Sequence, residues 1–573
     1  MNELKETLGS VGGKRWFRIV FFFLALIPAI AAIYLAFYYI YGPGEGYFHS
    51  DCTDTLYWAN AALEGNGIFD DQYNYAALLP FSTVWIMQPL IKAFGFGMTA
   101  HNLGMAIFAV LFAGSIYFCA RSAKFSHLWS STAVFAVFML LSCSEKLREM
   151  MWGHTIYYSL GLILMFYLLG LGMRLCDMLE KGKWIASAVF GILLLGMSVG
   201  SATNGMQIIV LTVLPVAAAF AAERLLSAKD GIASKNSIPA IAVAAVIGVG
   251  TLIGMKVLLV ITNDGAIKAG YAAGYSGWSD VSIWLSNAQK FVNHYFSLLG
   301  IDMLKNDPIF EGESLKYFFR IAVGIILLVM PVVILCLYGK IKSRGVKFML
   351  WAHFVLTAAV MFGYICGELS AANWRLTPIL GSAAMLTVCG LRDLTSDLGI
   401  FEVKENGGAV VVLSRICTLV LAVVIASSLV FAKELKAIPA DYGRDNTNHR
   451  LAEFLVEEGL EYGYATFWYA QAITVLSDSE VRVRNMDVKD NGVVGRHYQS
   501  SLNWYNDQEG VDEYFVILTS SEYRKVFLTD TWQTWVDEYY LREYDSPNDA
   551  NGFMVFVFSE NILRDFGSEA RGQ

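Results

Sequence analysis

Residues 46–81 read GYFHSDCTDTLYWANAALEGNGIFDDQYNYAALLPF. They follow KRWFRIVFFFLALIPAIAAIYLAFYYIYG (14–42), a run long enough for a bilayer, which needs about 20 apolar residues per helix. Basic residues precede that run and no small-residue cleavage site is clear after it, so it reads as a retained first span, not a removed signal. Asp51, Asp54, Asp70 and Asp71 therefore stand just beyond a membrane helix. The middle of the stretch reads as a helix ending at Gly65. Asp51 and Asp54, three apart, share one of its faces, while Leu56, Ala59 and Leu63 beside Trp58 form an apolar side suited to the membrane surface. An acid at a helix start is ordinarily a cap, and Asp70 and Asp71 read as turn residues. An acid on a surface helix facing a cavity between spans has a second use, as a general base for a hydroxyl.

The rest of the chain fits this beginning. Of its 573 residues 56% are hydrophobic and only 16% charged, and the charges thin out over 17–431 and crowd after 432. The net charge of −8 and the lack of a basic patch exclude a nucleic-acid partner. The eight cysteines form no CxxC pair and no Cys/His metal spacing, and the tail has none. Apolar runs beginning near Trp16, Thr99, His127, His154, Trp184, Gly205, Ser237, Tyr317, Trp351, Asn373 and Val410 predict eleven spans. LLPFSTVWIMQPLIKAFGFG, with its two prolines, suits a surface helix better. With the N-terminus inside, Arg121, Lys124, Arg174, Lys181, Lys183, Arg224, Lys340, Lys342, Arg344 and Lys347 all fall on the inner side, as the positive-inside rule asks. The loops 42–98, 144–153 and 263–315, and the tail, then lie outside.

The tail has the marks of a folded domain. NHRLAEFLVEEGLEYGYATFW predicts an amphipathic helix, a glycine turn and a strand; EVRVRNMDV, EYFVILTS and FMVFVFSE predict strands. The fold class is thus a mainly α, polytopic membrane protein with a small C-terminal α/β extracytoplasmic domain, divided into 1–432 and 433–573. No nucleotide loop, nucleophile elbow or metal motif is present in the tail.

The order of first span, acid, helix with aromatics and small residues, EGNG, then LLPFSTVWIMQPL resembles the first external loop of the GT-C superfamily of integral-membrane glycosyltransferases, such as protein O-mannosyltransferases and aminoarabinose transferases. The resemblance implies about eleven to thirteen spans, often an external C-terminal domain, and a donor sugar on polyprenyl phosphate. It makes Asp51 the catalytic base and Asp54, which falls where the family commonly has an aromatic, its neighbour. Many members carry Asp-Glu or Asp-X-Asp; here the text is DCTD. Some relatives bind a divalent metal with acids from both loops, and the absence of that acid pattern implies no cofactor and no required metal. Arg375, in ELSAANWRLTPIL, matches an arginine that meets the donor phosphate, although Leu376 replaces the aromatic that often follows. Glu145, Glu149 and His154, in SCSEKLREMMWGHTIYY, are candidates for the opposite wall of the cavity, against a solvated mixed-charge loop as the plainer reading. Lys268 is a further substrate-binding candidate in a loop whose Tyr271, Trp278 and Trp284 read first as membrane anchors.

The expected activity is an inverting transfer of a sugar from the polyprenyl-phosphate donor to an extracytoplasmic glycan, lipid or protein, in a multi-pass protein of a bacterial plasma membrane in contact with its lipids. The alternatives are a transporter or flippase for lipid-linked saccharides, a polymerase or ligase with the same leaving group, and a non-enzymatic protein that displays its tail. A transporter calls for charged residues within the spans, and few are present.

Overall fold

The computed structural model describes residues 15–65, 67–154, 157–227, 237–270, 277–301, 312–368, 371–395, 408–545 and 552–566. Tyr271 and parts of the 263–315 loop lie outside them. The bundle comprises α1 (Arg15–Ile40), the short α2 (Asp54–Glu64), α3 (Met98–Ser122), α4 (His127–Leu140), α5 (Tyr157–Glu180), α6 (Trp184–Ala202), α7 (Leu214–Ser227), α8 (Ile238–Ile261), α9 (Val281–Leu298), α10 (Gly312–Cys336), α11 (Arg344–Cys366), α12 (Thr377–Thr395) and α13 (Gly408–Ala437). Among the described residues ten helical stretches are long and apolar enough to cross a membrane, α7 counting together with the helical residues 205–213 that lead into it. The eleventh expected span is α4, an apolar helix of 14 residues; at 1.5 Å per residue it reaches about 21 Å, short of the roughly 30 Å hydrocarbon core. It packs centrally, against α1, α3, α12 and α13.

α5 and α12 form the middle of the bundle, with 89% and 94% of their most apolar stretches buried. Small residues on α12 allow this. A Cβ at Gly381 would stand 2.4 Å from Leu162 of α5, and one at Gly390 2.4 Å from Ile334 of α10. Close approach of backbones is how helices gain packing energy where lipid removes the hydrophobic drive. α6 and α8 lie at the edge and expose Ile185, Ile192, Leu252 and Val260, an outward apolar surface that only lipid tails suit. Pro80–Phe94, expected as a surface helix, is helical in two short pieces, Pro80–Ser82 and Gln88–Phe94, on either side of a wide π-type turn at Thr83–Met87, with Trp85 exposed.

After α13 the chain forms α14 (Thr447–Glu457), β1 (Tyr462–Thr466), α15 (Phe467–Leu476), β2 (Arg482–Lys489), β3 (Gly492–Gly495), β4 (Tyr514–Thr519), α16 (Ser520–Val526), α17 (Asp530–Tyr539), β5 (Tyr540–Asp545) and β6 (Phe553–Phe558). The strands make one sheet in the order β3-β2-β1-β4-β6-β5. β1 pairs in parallel with β2 and β4; the other pairings are antiparallel. Alternation along β4 divides two cores: Phe515 and Ile517 pack with Leu455 and Ile473 of α14 and α15, while Val516 and Leu518 pack with Val526 and Trp532 of α16 and α17.

The sheet domain sits directly on the first loop. A Cβ at Gly46 would fall 1.7 Å from the carbonyl oxygen of Tyr442, so only glycine lets the loop touch the link after α13. Glu45 pairs with Arg444 at 2.5 Å, and Asn446 donates to the Gly46 carbonyl at 2.9 Å. Trp504 donates to Glu64 at 3.0 Å, its ring meets Tyr57 and Tyr73, and the Arg484 guanidinium lies 4.0 Å over it. This corrects the expectation for α2. Its Leu56, Tyr57, Trp58 and Ala59 are buried in protein and do not face the membrane surface, because the sheet domain and the 80–94 helix take up the apolar side.

Candidate active site

Asp51 lies in a tight 3₁₀ turn, Ser50–Thr53, that leads into α2. It keeps partial exposure between buried Ser50 and Cys52. Asp54, one turn on, is buried and accepts a hydrogen bond from Gln499 Nε2 at 2.6 Å. It is not a cap: the N-cap position is Thr53. Burial first, then the nearby Asp51 charge, raises the Asp54 pKa well above the carboxylate range, against the pull of Gln499. Asp54 is thus enclosed and hydrogen-bonded, while Asp51 keeps the partial exposure through which a substrate could reach it. Asp70 forms the expected turn, accepting from the Gln72 amide at 3.0 Å, and also takes the Ser501 hydroxyl at 3.2 Å. Asp71 is exposed.

The second loop comes to the same place. Ser144 accepts from the Leu147 amide and donates to the Leu298 carbonyl at 2.6 Å, and Arg320 of α10 holds the Cys143 carbonyl. Glu149 then opens a π-type turn, Glu149–Gly153, in which the His154 amide donates to the Glu149 carbonyl at 3.1 Å. Such a widened turn re-aims side chains and is frequent at functional sites; here it sets His154 Nε2 3.5 Å from Glu149 Oε1. His49 Nε2 reaches the same oxygen at 3.6 Å, and the Lys146 ammonium holds both carboxylate oxygens at 2.6 and 2.7 Å. Burial would raise the Glu149 pKa, but His154, His49 and Lys146 outweigh it and hold the carboxyl far below its ordinary value. Burial likewise opposes charge on His49, yet Cys52 and Glu149 raise its pKa to about 11.

Lys146 extends the cluster to the third segment, lying 5.0 Å over the ring of Trp374. Trp374 and Arg375 occupy a 3₁₀ turn, Asn373–Leu376, tied to α9 through Asn373 and Ser297 at 3.1 Å. Arg375 is buried and lines a cavity of about 420 Å³ with Tyr158, Gln207, Leu211, Trp278 and Tyr364. From Arg375 a chain of contacts thus runs through Trp374, Lys146 and Glu149 to His49, two residues before Asp51. Glu145 is exposed at the start of its helix. Lys268 is exposed beside Ala269, which bridges to Tyr75 of the first loop. Sequence reasoning passed over His49, Gln471 and Gln499. His49 is legible in hindsight as an imidazole two residues before the acid; the glutamines carry no local signal. Among the described residues no three His, Cys, Asp or Glu side chains are grouped to hold a metal.

No family model matches the sequence, and no curated protein matches it. Solved structures do match. ArnT from Cupriavidus metallidurans bound to undecaprenyl phosphate superposes with a TM-score of 0.52 at 11% identity, covering 96% of this chain and 99% of that one. The oligosaccharyltransferase AglB from Archaeoglobus fulgidus, in complex with an inhibitory peptide and a dolichol-phosphate, gives 0.48 at 12% identity over 94% of this chain and 74% of that one. The chain thus shares its overall fold with that ArnT structure, in a multi-pass membrane protein.

Proposed function

We propose that a chain with this fold is a membrane glycosyltransferase that takes a sugar from a polyprenyl-phosphate donor and transfers it, with inversion, to a hydroxyl of an extracytoplasmic glycan, lipid or protein. The observation that carries the reading is the convergence of three distant segments: the turn of Asp51, the loop of Lys146 and Glu149, and the turn of Trp374 and Arg375. The ArnT structure with undecaprenyl phosphate, in the same fold, supports the donor class.

In this reading Asp51 accepts the proton of the acceptor hydroxyl as its oxygen bonds to the anomeric carbon. The bond from that carbon to the donor phosphate oxygen breaks on the opposite side, and the polyprenyl phosphate leaves with the electron pair. Arg375, whose forked donors suit phosphate oxygens, and Lys146 meet the growing charge. In a dry site such fixed donors do more than they would in water. The reading needs no metal, because Lys146 already supplies a cation at Glu149. The apolar cavity walls around Arg375 suit the first isoprene units.

Asp51→Asn tests it. With a polyprenyl phosphosugar supplied in membranes, turnover should fall by about 10²- to 10⁴-fold, the scale of a general base, at unchanged protein levels. Normal turnover of the variant would remove Asp51 as the base.

A further inference from the structure

We infer that Gln499, from the C-terminal sheet domain, is a positioning residue for the reaction: it holds the Ser50–Asp54 turn in the orientation that presents Asp51. The inference rests on the glycosyl transfer proposed above and adds to it that the sheet domain completes the active site.

Gln499 is 1% exposed and uses both ends of its amide on α2. Nε2 donates to Asp54 at 2.6 Å, and Oε1 accepts from Trp58 Nε1 at 2.5 Å. Asp54 and Trp58 are four apart, so one planar amide spans a full helical turn. The Gln499 backbone has φ of +52°, in the left-handed region, which is uncommon without glycine. Its surroundings hold it there: the Gln499 amide donates to the Asn74 carbonyl at 3.0 Å, and its carbonyl accepts from Gln471 Nε2 at 2.6 Å and Asn485 Nδ2 at 3.4 Å. Gln471 Oε1 in turn accepts the Thr53 hydroxyl at 2.9 Å, and the Phe467 carbonyl accepts the Ser50 hydroxyl at 2.5 Å.

The turn is therefore attached to the sheet domain at Ser50, Thr53, Asp54 and Trp58, on both sides of Asp51. Apolar burial would dock a domain in many similar poses. A buried polar network favours one, since a misplaced member leaves buried groups unmatched. Gln499 touches neither donor nor acceptor in this arrangement; it acts through Asp54 and Trp58.

The experiment compares full-length wild type, Gln499→Leu and Arg444→Ala, the last cutting the Glu45–Arg444 ion pair between the same two parts of the chain. For each, kcat and KM for a polyprenyl phosphosugar are measured together with amide hydrogen exchange over residues 47–58. Gln499→Leu should lower kcat at least tenfold, leave KM for the donor within twofold, and speed exchange of the Ser50–Asp54 turn. Arg444→Ala should leave kcat and that exchange unchanged. If Gln499→Leu does not accumulate, Gln471→Leu removes the bond to the Thr53 hydroxyl from the sheet side, leaving the turn's own Thr53–Ser50 hydrogen bond in place, with the same expectation. Unchanged exchange overturns the inference, as does faster exchange with wild-type kcat or a kcat loss matched by Arg444→Ala. A wild type that transfers no sugar, with exchange responding as described, overturns the functional reading and the inference falls with it.

Discussion

Two carboxylates three residues apart, Asp51 and Asp54, end in different situations because one keeps partial exposure and the other is buried on an amide. The sequence places them on one face and a resemblance ranks them. The partner that separates them, Gln499, is 445 residues away from Asp54 and has no local signature. The same holds for Glu149, which reads as one charge in a mixed loop until His49, Lys146 and His154 gather on it. That cluster has a pH signature. The His49 pKa lies above the ordinary 6.5 in the folded protein, so the imidazolium contributes its full stability below that value and loses it as pH rises towards about 11. Glu149, held far below its ordinary value, stays ionised throughout and does not blur the effect. The gap in thermal midpoint between wild type and His49→Phe should therefore shrink as pH is raised from about 6 to about 10. A gap that widens with pH would rule out the stabilisation of the His49 imidazolium by Cys52 and Glu149.

The long elements were the most legible ones. Apolar length alone points to the spans, period-two alternation to β2, and compact β-type runs to β4 and β6, because lipid and sheet cores each impose a pattern along the chain. What escaped was where an apolar face would be buried. The apolar stripe of α2 suits the membrane surface, yet a stripe does not distinguish lipid from the flank of another domain. Close contacts are equally silent. Gly46 and Gly191 look alike as letters, but a Cβ at Gly46 would strike the Tyr442 backbone, whereas one at Gly191 meets nothing within 4 Å. Gly46→Ala should cost about 1–3 kcal/mol, as overpacking does. Gly191→Ala in α6 should be neutral or gain up to about 1 kcal/mol from helix propensity. Thermal unfolding in detergent checks both; equal midpoints would mean that the first loop and the post-α13 link are not in contact.

At the level of the whole molecule, bundle and sheet share side chains across their boundary: Asp54 with Gln499, Thr53 with Gln471, Glu64 with Trp504, Glu45 with Arg444. A domain joined by a linker alone melts independently. Here the first loop loses its partners when the sheet unfolds, so calorimetry and near-ultraviolet dichroism should report one coincident transition. Two separated transitions would mark the sheet domain as an independent module.

These shared contacts also set an order of assembly. The helix bearing Asp54 leaves the ribosome well before the glutamine that grips it, which emerges 445 residues later. Closing so wide a loop is slow and entropically unfavourable until the intervening bundle has formed. The nascent chain consequently inserts its membrane helices with the acidic turn still unanchored, and the transferase chemistry proposed for it becomes available only once synthesis has passed the third strand of the sheet. On that proposal, a chain truncated before that point should transfer no sugar, however well its bundle has folded.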